Sequence, residues 1–331
     1  MYTLTRLFKS PEFYPVSVDF ANSALQFLEM SRETYRNSVF LDVRTRHLGK
    51  SPRNVKLDDL LLASAGVSAK AGGAHYILNT AFCCSTLLAR YFELFPDCFV
   101  LKEPSLLTQL ALTPESVSRW DEVFQVCLKL LARTYLESER PVIKVHEACN
   151  ILGDRLLEDP EITITFLSTP VRRFVLSILK AEFRRQWVRK RVVQMSKRHE
   201  FADLLQGVEV SSLSDAQAAC CMWMSDRSIA ERLSSSDNRN RVLVIDGDEV
   251  AERPTEALSR IAKAGGFTLS EQQLDAILSH PLVNRYSKDP SIPYNAASRQ
   301  QELERLDERW GNEADIAIDW MEARTVTLCG S

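Results

Sequence analysis

From residue 75 onward, short continuous apolar runs alternate with stretches of helical periodicity. His75 to Leu78 reads as a buried strand. Ser85 to Phe95 follows as a helix, with Leu87, Leu88, Tyr91, Phe92 and Phe95 on one face. Pro96 ends it. Cys98 to Leu101 predicts a second strand, and Leu106 to Leu112 begins another helix. Trp120 to Glu137 predicts a longer one. Val142 to Val145 is a third strand and Ile162 to Leu167, rich in β-branched residues, a fourth. Phe174 to Arg198 and Asp215 to Leu233 predict two long helices, and Arg241 to Ile245 a fifth strand. Strands this short and apolar, each followed by a helix, predict an α/β fold of three layers, with a central, mainly parallel sheet between helices. In such sheets ligands bind beyond the carboxyl ends of the strands, so the residues just after each strand are the place to look for chemistry.

Residues 1–70 carry no clear alternation. Val39 to Val43 is a short strand or a helix end, and Ser68 to Ala74 is the best linker. Residues 248–331 read as a helical and loop part. The expected organisation is one α/β domain over 1–331, with 1–70 as an N-terminal extension or subdomain.

With 331 residues, the chain is long enough for a large core, and its 45% hydrophobic and 26% charged residues are ordinary for a folded protein. A net charge of −3 provides no global field for nucleic acid or an acidic membrane, so an anion site must be local. Met1 to Phe20 contains no apolar h-region, which predicts no secretory leader, and no apolar run is long enough to span a bilayer. The eight cysteines (83, 84, 98, 127, 149, 220, 221 and 329) lack paired metal-ligand spacing, so free thiols in a reducing cytoplasm are expected.

Asn79 to Thr86 joins the first strand to its helix. Set on the phosphate-loop pattern G-x-x-x-x-G-K-S/T, it has Asn79 and Cys84 at the glycines, Ser85 at the lysine and Thr86 at the hydroxyl position. Backbone N–H groups at a helix N-terminus bind anions without special side chains. Ser85 and Thr86 can add hydroxyls and cap the helix. The absent lysine removes the charge that meets a nucleoside triphosphate. The same residues also fit a plain strand–turn–helix with Ser85 as cap.

Lys144 and His146 stand two apart at the end of the third strand, on the same side. A histidine there can act as general base, and the lysine can stabilise charge on a transferred anionic group. An ion pair for Lys144 and a packed His146 is the alternative. After the fourth strand, Pro170 suits a helix start. Arg172 and Arg173 then lie where the helix dipole disfavours cations, which suggests an anion to meet them. Arg184, Arg185, Arg189, Lys190, Arg191, Lys197 and Arg198 read mainly as a solvated helix face.

Taken in order, these segments resemble the sulfotransferase family, as a divergent bacterial-type member. Ala81-Phe82-Cys83-Cys84-Ser85-Thr86-Leu87 is similar to the family's 5′-phosphosulfate loop, of the form Pro–Lys/Arg–Ser–Gly–Ser/Thr–Thr–Leu/Trp. Lys144-Val145-His146 is similar to its Lys–Thr/Ser–His strand end. Ser168-Thr169-Pro170-Val171-Arg172-Arg173, with Ser177 one place late, is similar to its 3′-phosphate motif, and Lys102-Glu103-Pro104 to a turn of bacterial members. The resemblance runs from about Tyr76 to Gly247. It implies a P-loop-like fold and 3′-phosphoadenosine 5′-phosphosulfate (PAPS) as sulfuryl donor, bound by residues 81–87, Arg172, Arg173 and Ser177. It also implies His146 as catalytic base, Lys144 beside it, a small-molecule acceptor and no metal. Phe82 replaces the loop's basic residue, Cys84 its glycine, and Ser168 the first arginine of the 3′ motif. Lys288 is a candidate to compensate. Three other readings stay open: a nucleotide-dependent phosphotransferase or NTPase with Asp246 as a magnesium ligand, a non-catalytic binding protein that retains the fold, and a cysteine nucleophile at Cys83 or Cys84.

Overall fold

Two sheets arise from two different kinds of sequence. The computed structural model describes residues 4–42, 44, 49–67, 73–235, 237–283, 285 and 296–329. Lys288 and residues 68–72 of the expected linker lie outside them.

The N-terminal segment begins with α1 (Leu4–Lys9) and builds a three-stranded sheet in the order β1-β2-β3 from β1 (Phe13–Asp19), β2 (Ala24–Glu29) and β3 (Lys50–Lys56). The pairs are antiparallel. α2 (Arg32–Asn37), capped by the Ser31 hydroxyl, separates β2 from β3, and α3 (Leu57–Ser64) follows. β3 is polar and exposed almost throughout and contains Pro52, as an edge strand tolerates. Residues 39–42 form no strand, contrary to one of the two sequence expectations, and Val43 lies outside the described residues. Instead, the Leu41 backbone lies against the edge of the second sheet, donating to the Lys102 carbonyl at 2.6 Å and accepting from the Ser105 N–H at 3.0 Å. Arg133, 7% exposed, ties this layer down by donating to the carbonyls of Leu7, Ser10 (2.8 Å) and Phe13 (2.7 Å).

The second sheet is five-stranded and parallel, with β4 (His75–Asn79) at its centre in the order β5-β6-β4-β7-β8. Its other strands are β5 (Cys98–Lys102), β6 (Arg140–Lys144), β7 (Thr163–Ser168) and β8 (Val242–Asp246). β4 and β5 are buried at every position, as apolar strands covered on both faces must be. α4 (Ser85–Glu93) follows β4, and α5 (Ser105–Leu112) and α6 (Trp120–Leu131) lie between β5 and β6. A 3-10 turn over Glu147–Leu152 and α7 (Gly153–Leu157) lead to β7. α8 (Val171–Leu179), α9 (Glu182–Met195) and α10 (Asp215–Leu233) connect β7 to β8. After β8 come α11 (Gly247–Glu252), α12 (Pro254–Gly265), α13 (Glu271–Leu278) and α14 (Ala296–Cys329). The chain runs to one side of β4 for β5 and β6 and crosses to the other for β7, so the order reverses at β4, and in such sheets that switch point is where ligands bind.

Two helices differ from their periodicity. The helix expected to reach Glu137 stops at Leu131, because the Glu139 carboxylate captures the N–H groups of Tyr135 (3.1 Å) and Leu136 (2.9 Å) in a turn. The single helix expected over Phe174 to Arg198 is α8 and α9, broken at Lys180 and Ala181, with Ala181 extended at φ −146°. The C-terminal part is dominated by α14, 34 residues long, whose Ala314, Ala317 and Met321 are buried at helical spacing. Among the described residues no helix is long and apolar enough to cross a membrane.

Candidate active site

The turn after β4 is held from three sides. The Asn79 side chain donates to the Val145 carbonyl (2.9 Å) and accepts from the Ser85 hydroxyl (3.1 Å). The Asn150 side chain accepts from the Asn79 N–H (3.2 Å) and donates to its carbonyl (2.9 Å). Thr80 N–H reaches the Leu167 carbonyl of β7 at 2.9 Å. Inside the turn, Phe82 (φ 65°) and Cys84 (φ 66°) are both left-handed. That conformation costs a non-glycine residue roughly 1–2 kcal/mol, and such alternation turns successive N–H groups toward one concave side. Cys84, not Ser85, is the N-cap of α4, and it supplies no side-chain cap. The Ser85 hydroxyl is turned back to Asn79, so the expected capping role is not met. Gly247, at the start of α11, presses on the turn: a Cβ there would lie 1.9 Å from the Cys83 carbonyl oxygen.

His146 follows β6 at the edge of the 3-10 turn. Its Nδ1 faces the Glu147 carboxylate and also lies 3.2 Å from the Ala148 N–H. The two contacts assign opposite roles to Nδ1. The full charge of the carboxylate decides for a protonated Nδ1, which leaves Nε2 as the acceptor. The other Glu147 oxygen receives Arg191 Nε at 2.6 Å. Burial works against the imidazolium, but Glu147 and, more weakly, Glu103 outweigh it, so His146 titrates above its ordinary value. Burial likewise opposes the Glu147 carboxylate, and His146 and Arg191 overcome it, holding Glu147 down at about 2.

A cavity of about 20 Å³ lies behind this cluster, bounded by Glu147, Asn150, Arg191, Ser225 and Asp226. Asp226 accepts from Asn150 at 2.8 Å, and its second oxygen has no partner among the described residues. Burial pushes this carboxyl above the usual carboxylate range, and the Asn150 hydrogen bond only partly opposes it.

Lys144, expected to face the transferred group, is 4% exposed, and its ammonium is paired with Glu103. Glu103 reaches it because residue 103 turns left-handed (φ 58°) just past β5, with its N–H on the Lys144 carbonyl at 2.6 Å. Arg172 and Arg173 do stand at the start of α8 and do meet anions, but the anions are the protein's own. Arg172 pairs with Asp307 (2.8 Å) and Asp315 of α14. Arg173 pairs with Asp248, which also holds Arg299 of α14. The Ser177 carbonyl accepts from Arg184 at 2.8 Å. Asp246 caps α11 through the Asp248 N–H at 2.9 Å.

Cys83 is fully buried and its thiol is pushed up to about 12 by that burial, which removes it as a nucleophile at neutral pH. Glu147 and Asp226 were given no role in the motif reading, Glu103 stood there only as part of the Lys102-Glu103-Pro104 turn, and Arg191 only as part of the basic run. Glu147 carried a signal of its own, an acidic residue directly after the candidate base.

No family model matches the chain, and no curated protein matches it. Among solved structures it is similar to the sulfotransferase domain of the Synechococcus PCC 7002 olefin synthase (14% identity, 72% of this chain and 94% of that one, TM-score 0.38). It is also similar to a sulfotransferase from Mycobacterium tuberculosis (13% identity, 85% and 89%, TM-score 0.43). A mouse sulfotransferase complexed with PAP is similar at 14% identity (67% and 68%, TM-score 0.35).

Proposed function

We propose that this protein is an enzyme of the sulfotransferase type, which takes a sulfuryl group from PAPS and passes it to a hydroxyl or amine of a small-molecule acceptor. The observation that carries this reading is His146 at the carboxyl end of β6, its Nδ1 set against the buried Glu147 and its Nε2 left to accept a proton.

The donor set fits a phosphosulfate at the turn after β4. Residues 81–87 offer backbone N–H groups at the start of a nine-residue helix, two left-handed positions, and a close approach that Gly247 permits. PAPS supplies the activated sulfuryl group, and the remaining work falls to side chains. His146 Nε2 takes the acceptor proton, and Glu147 stabilises the resulting imidazolium and fixes the tautomer. Lys144 acts through its pair with Glu103, a buried dipole beside the imidazole. Ser177, Arg172 and Arg173 line the 3′ side, the two arginines under the control of α14. Among the described residues seven cysteines are present as thiols, which fits a reducing cytoplasm.

A thermal-shift panel of PAPS, its 3′,5′-diphosphate product PAP, ATP and GTP tests the reading. PAPS or PAP raises Tm. No shift at millimolar PAP overturns it, and a shift with magnesium–ATP alone favours a phosphotransferase. The self-pairing of Arg172 and Arg173 supports one other reading, a binding protein that retains the fold. For such a protein His146→Ala leaves function untouched, whereas for the enzyme it abolishes transfer and spares PAP binding.

A further inference from the structure

Phe82 stands in the turn where the resembled loop has a cation, yet a cation is there. The break between α8 and α9 turns α9 back toward the turn, so that Arg184, in the first turn of α9, lies with Cζ 4.0 Å from the centroid of the Phe82 ring. Trp187, three residues on, meets the same ring edge-on at 5.6 Å. The guanidinium is fixed from a second side by the 2.8 Å hydrogen bond from Nη1 to the Ser177 carbonyl. Arg184 therefore bridges the two segments that the donor reading requires, the turn after β4 and the stretch ending at Ser177. The nearby Arg185 turns instead to Glu182 (2.7 Å) and Arg189 to Asp215.

The chemistry suits the position. A guanidinium is weakly hydrated and lies flat on an aromatic face, while its N–H groups stay in the ring-parallel plane to grip an oxyanion in a fork. A left-handed Phe82 thus serves as the platform for a cation borne by another element.

We propose that Arg184 supplies the cationic contact to the 5′-phosphosulfate group of the donor, taking over from α9 the charge that the turn itself lacks. This rests on the PAPS reading above.

PAP binding is measured by calorimetry at two salt concentrations on the full chain, with Tm recorded for each variant. Arg184→Ala weakens binding by about tenfold to a hundredfold, the span of one charge-assisted hydrogen bond, and flattens its salt dependence. Arg184→Gln, which keeps most of the packing, does the same. Adding Phe82→Lys to Arg184→Ala moves the cation onto the turn and recovers binding, an outcome that a purely structural role for Arg184 does not produce. Wild-type affinity in both Arg184 variants overturns the inference and leaves the donor reading standing. Loss of binding with no recovery in the Phe82→Lys double variant also overturns it. A wild-type chain that binds no PAP overturns both.

Discussion

The Nδ1 atom of His146 faces the carboxylate of Glu147, the next residue in the chain, and the same carboxylate holds Arg191 of α9. The base and its orienting group are neighbours because the 3-10 turn starting at Glu147 folds the carboxylate back against the ring. His146 is raised above its ordinary value and Glu147 is lowered to about 2, each partner's charge working against burial. The Glu147 contribution to stability is present above its unfolded value and is lost as pH falls through about 2. The His146 contribution is full below its unfolded value and is lost as pH rises through its raised one. A general base must be neutral, so kcat/KM rises along an acid limb whose midpoint lies above the ordinary histidine value of 6.5. Glu147→Gln removes the raising charge and leaves burial, so the limb moves to lower pH while kcat falls. A limb that stays in place in the pH profile refutes the pairing as the tuning device.

Asp307 and Asp315 cover Arg172 from α14. Both carboxylates are about half exposed, so their pairs contribute little to stability, about 1 kcal/mol or less each. Asp307→Asn with Asp315→Asn therefore leaves Tm nearly unchanged and tightens PAP binding about fivefold by releasing Arg172 to the 3′-phosphate. Unchanged or weaker binding by titration shows that Arg172 does not meet that ligand.

Gly247 has no room for a side chain, because a Cβ at this position would collide with the Cys83 carbonyl oxygen. Gly247→Ala has to displace the turn after β4. A loss of about 1–3 kcal/mol in urea unfolding accompanies weakened PAP binding. Intact affinity in a stable variant means that the turn's shape is irrelevant to the ligand.

Arg133 is buried and lowered to about 10 by that burial, and it satisfies three carbonyls of the N-terminal segment. Arg133→Ala strands those acceptors and costs about 3 kcal/mol or more, measured by urea midpoint. A change below about 1 kcal/mol implies that water replaces the guanidinium without penalty.

The five parallel strands were legible because continuous apolar runs of four or five residues leave few alternatives to burial on both faces. The helix Asp215–Leu233 was legible to the residue, and Ser214 with Gln217 forms the capping box that marks its start. β3 was not legible, because Lys50–Lys56 is polar on both faces and its partner is chosen by backbone pairing with β2. The gap between α8 and α9 was not legible either. Local propensity runs through Lys180 and Ala181, while the structure engages Lys180 with Glu302 of α14.

By itself, the chain's pattern determined the layered α/β fold, the turn at Asn79 to Thr86 and the strand end that bears His146, because these depend on burial and spacing along a few residues. Only the tertiary structure decided which charges face one another. Lys144 meets Glu103, Arg172 meets Asp307 and Asp315, and Arg184 meets Phe82, across separations in sequence that no local period records. Electrostatic partnership is set by distance and burial in space, and those become defined only when the helices have packed on the sheet.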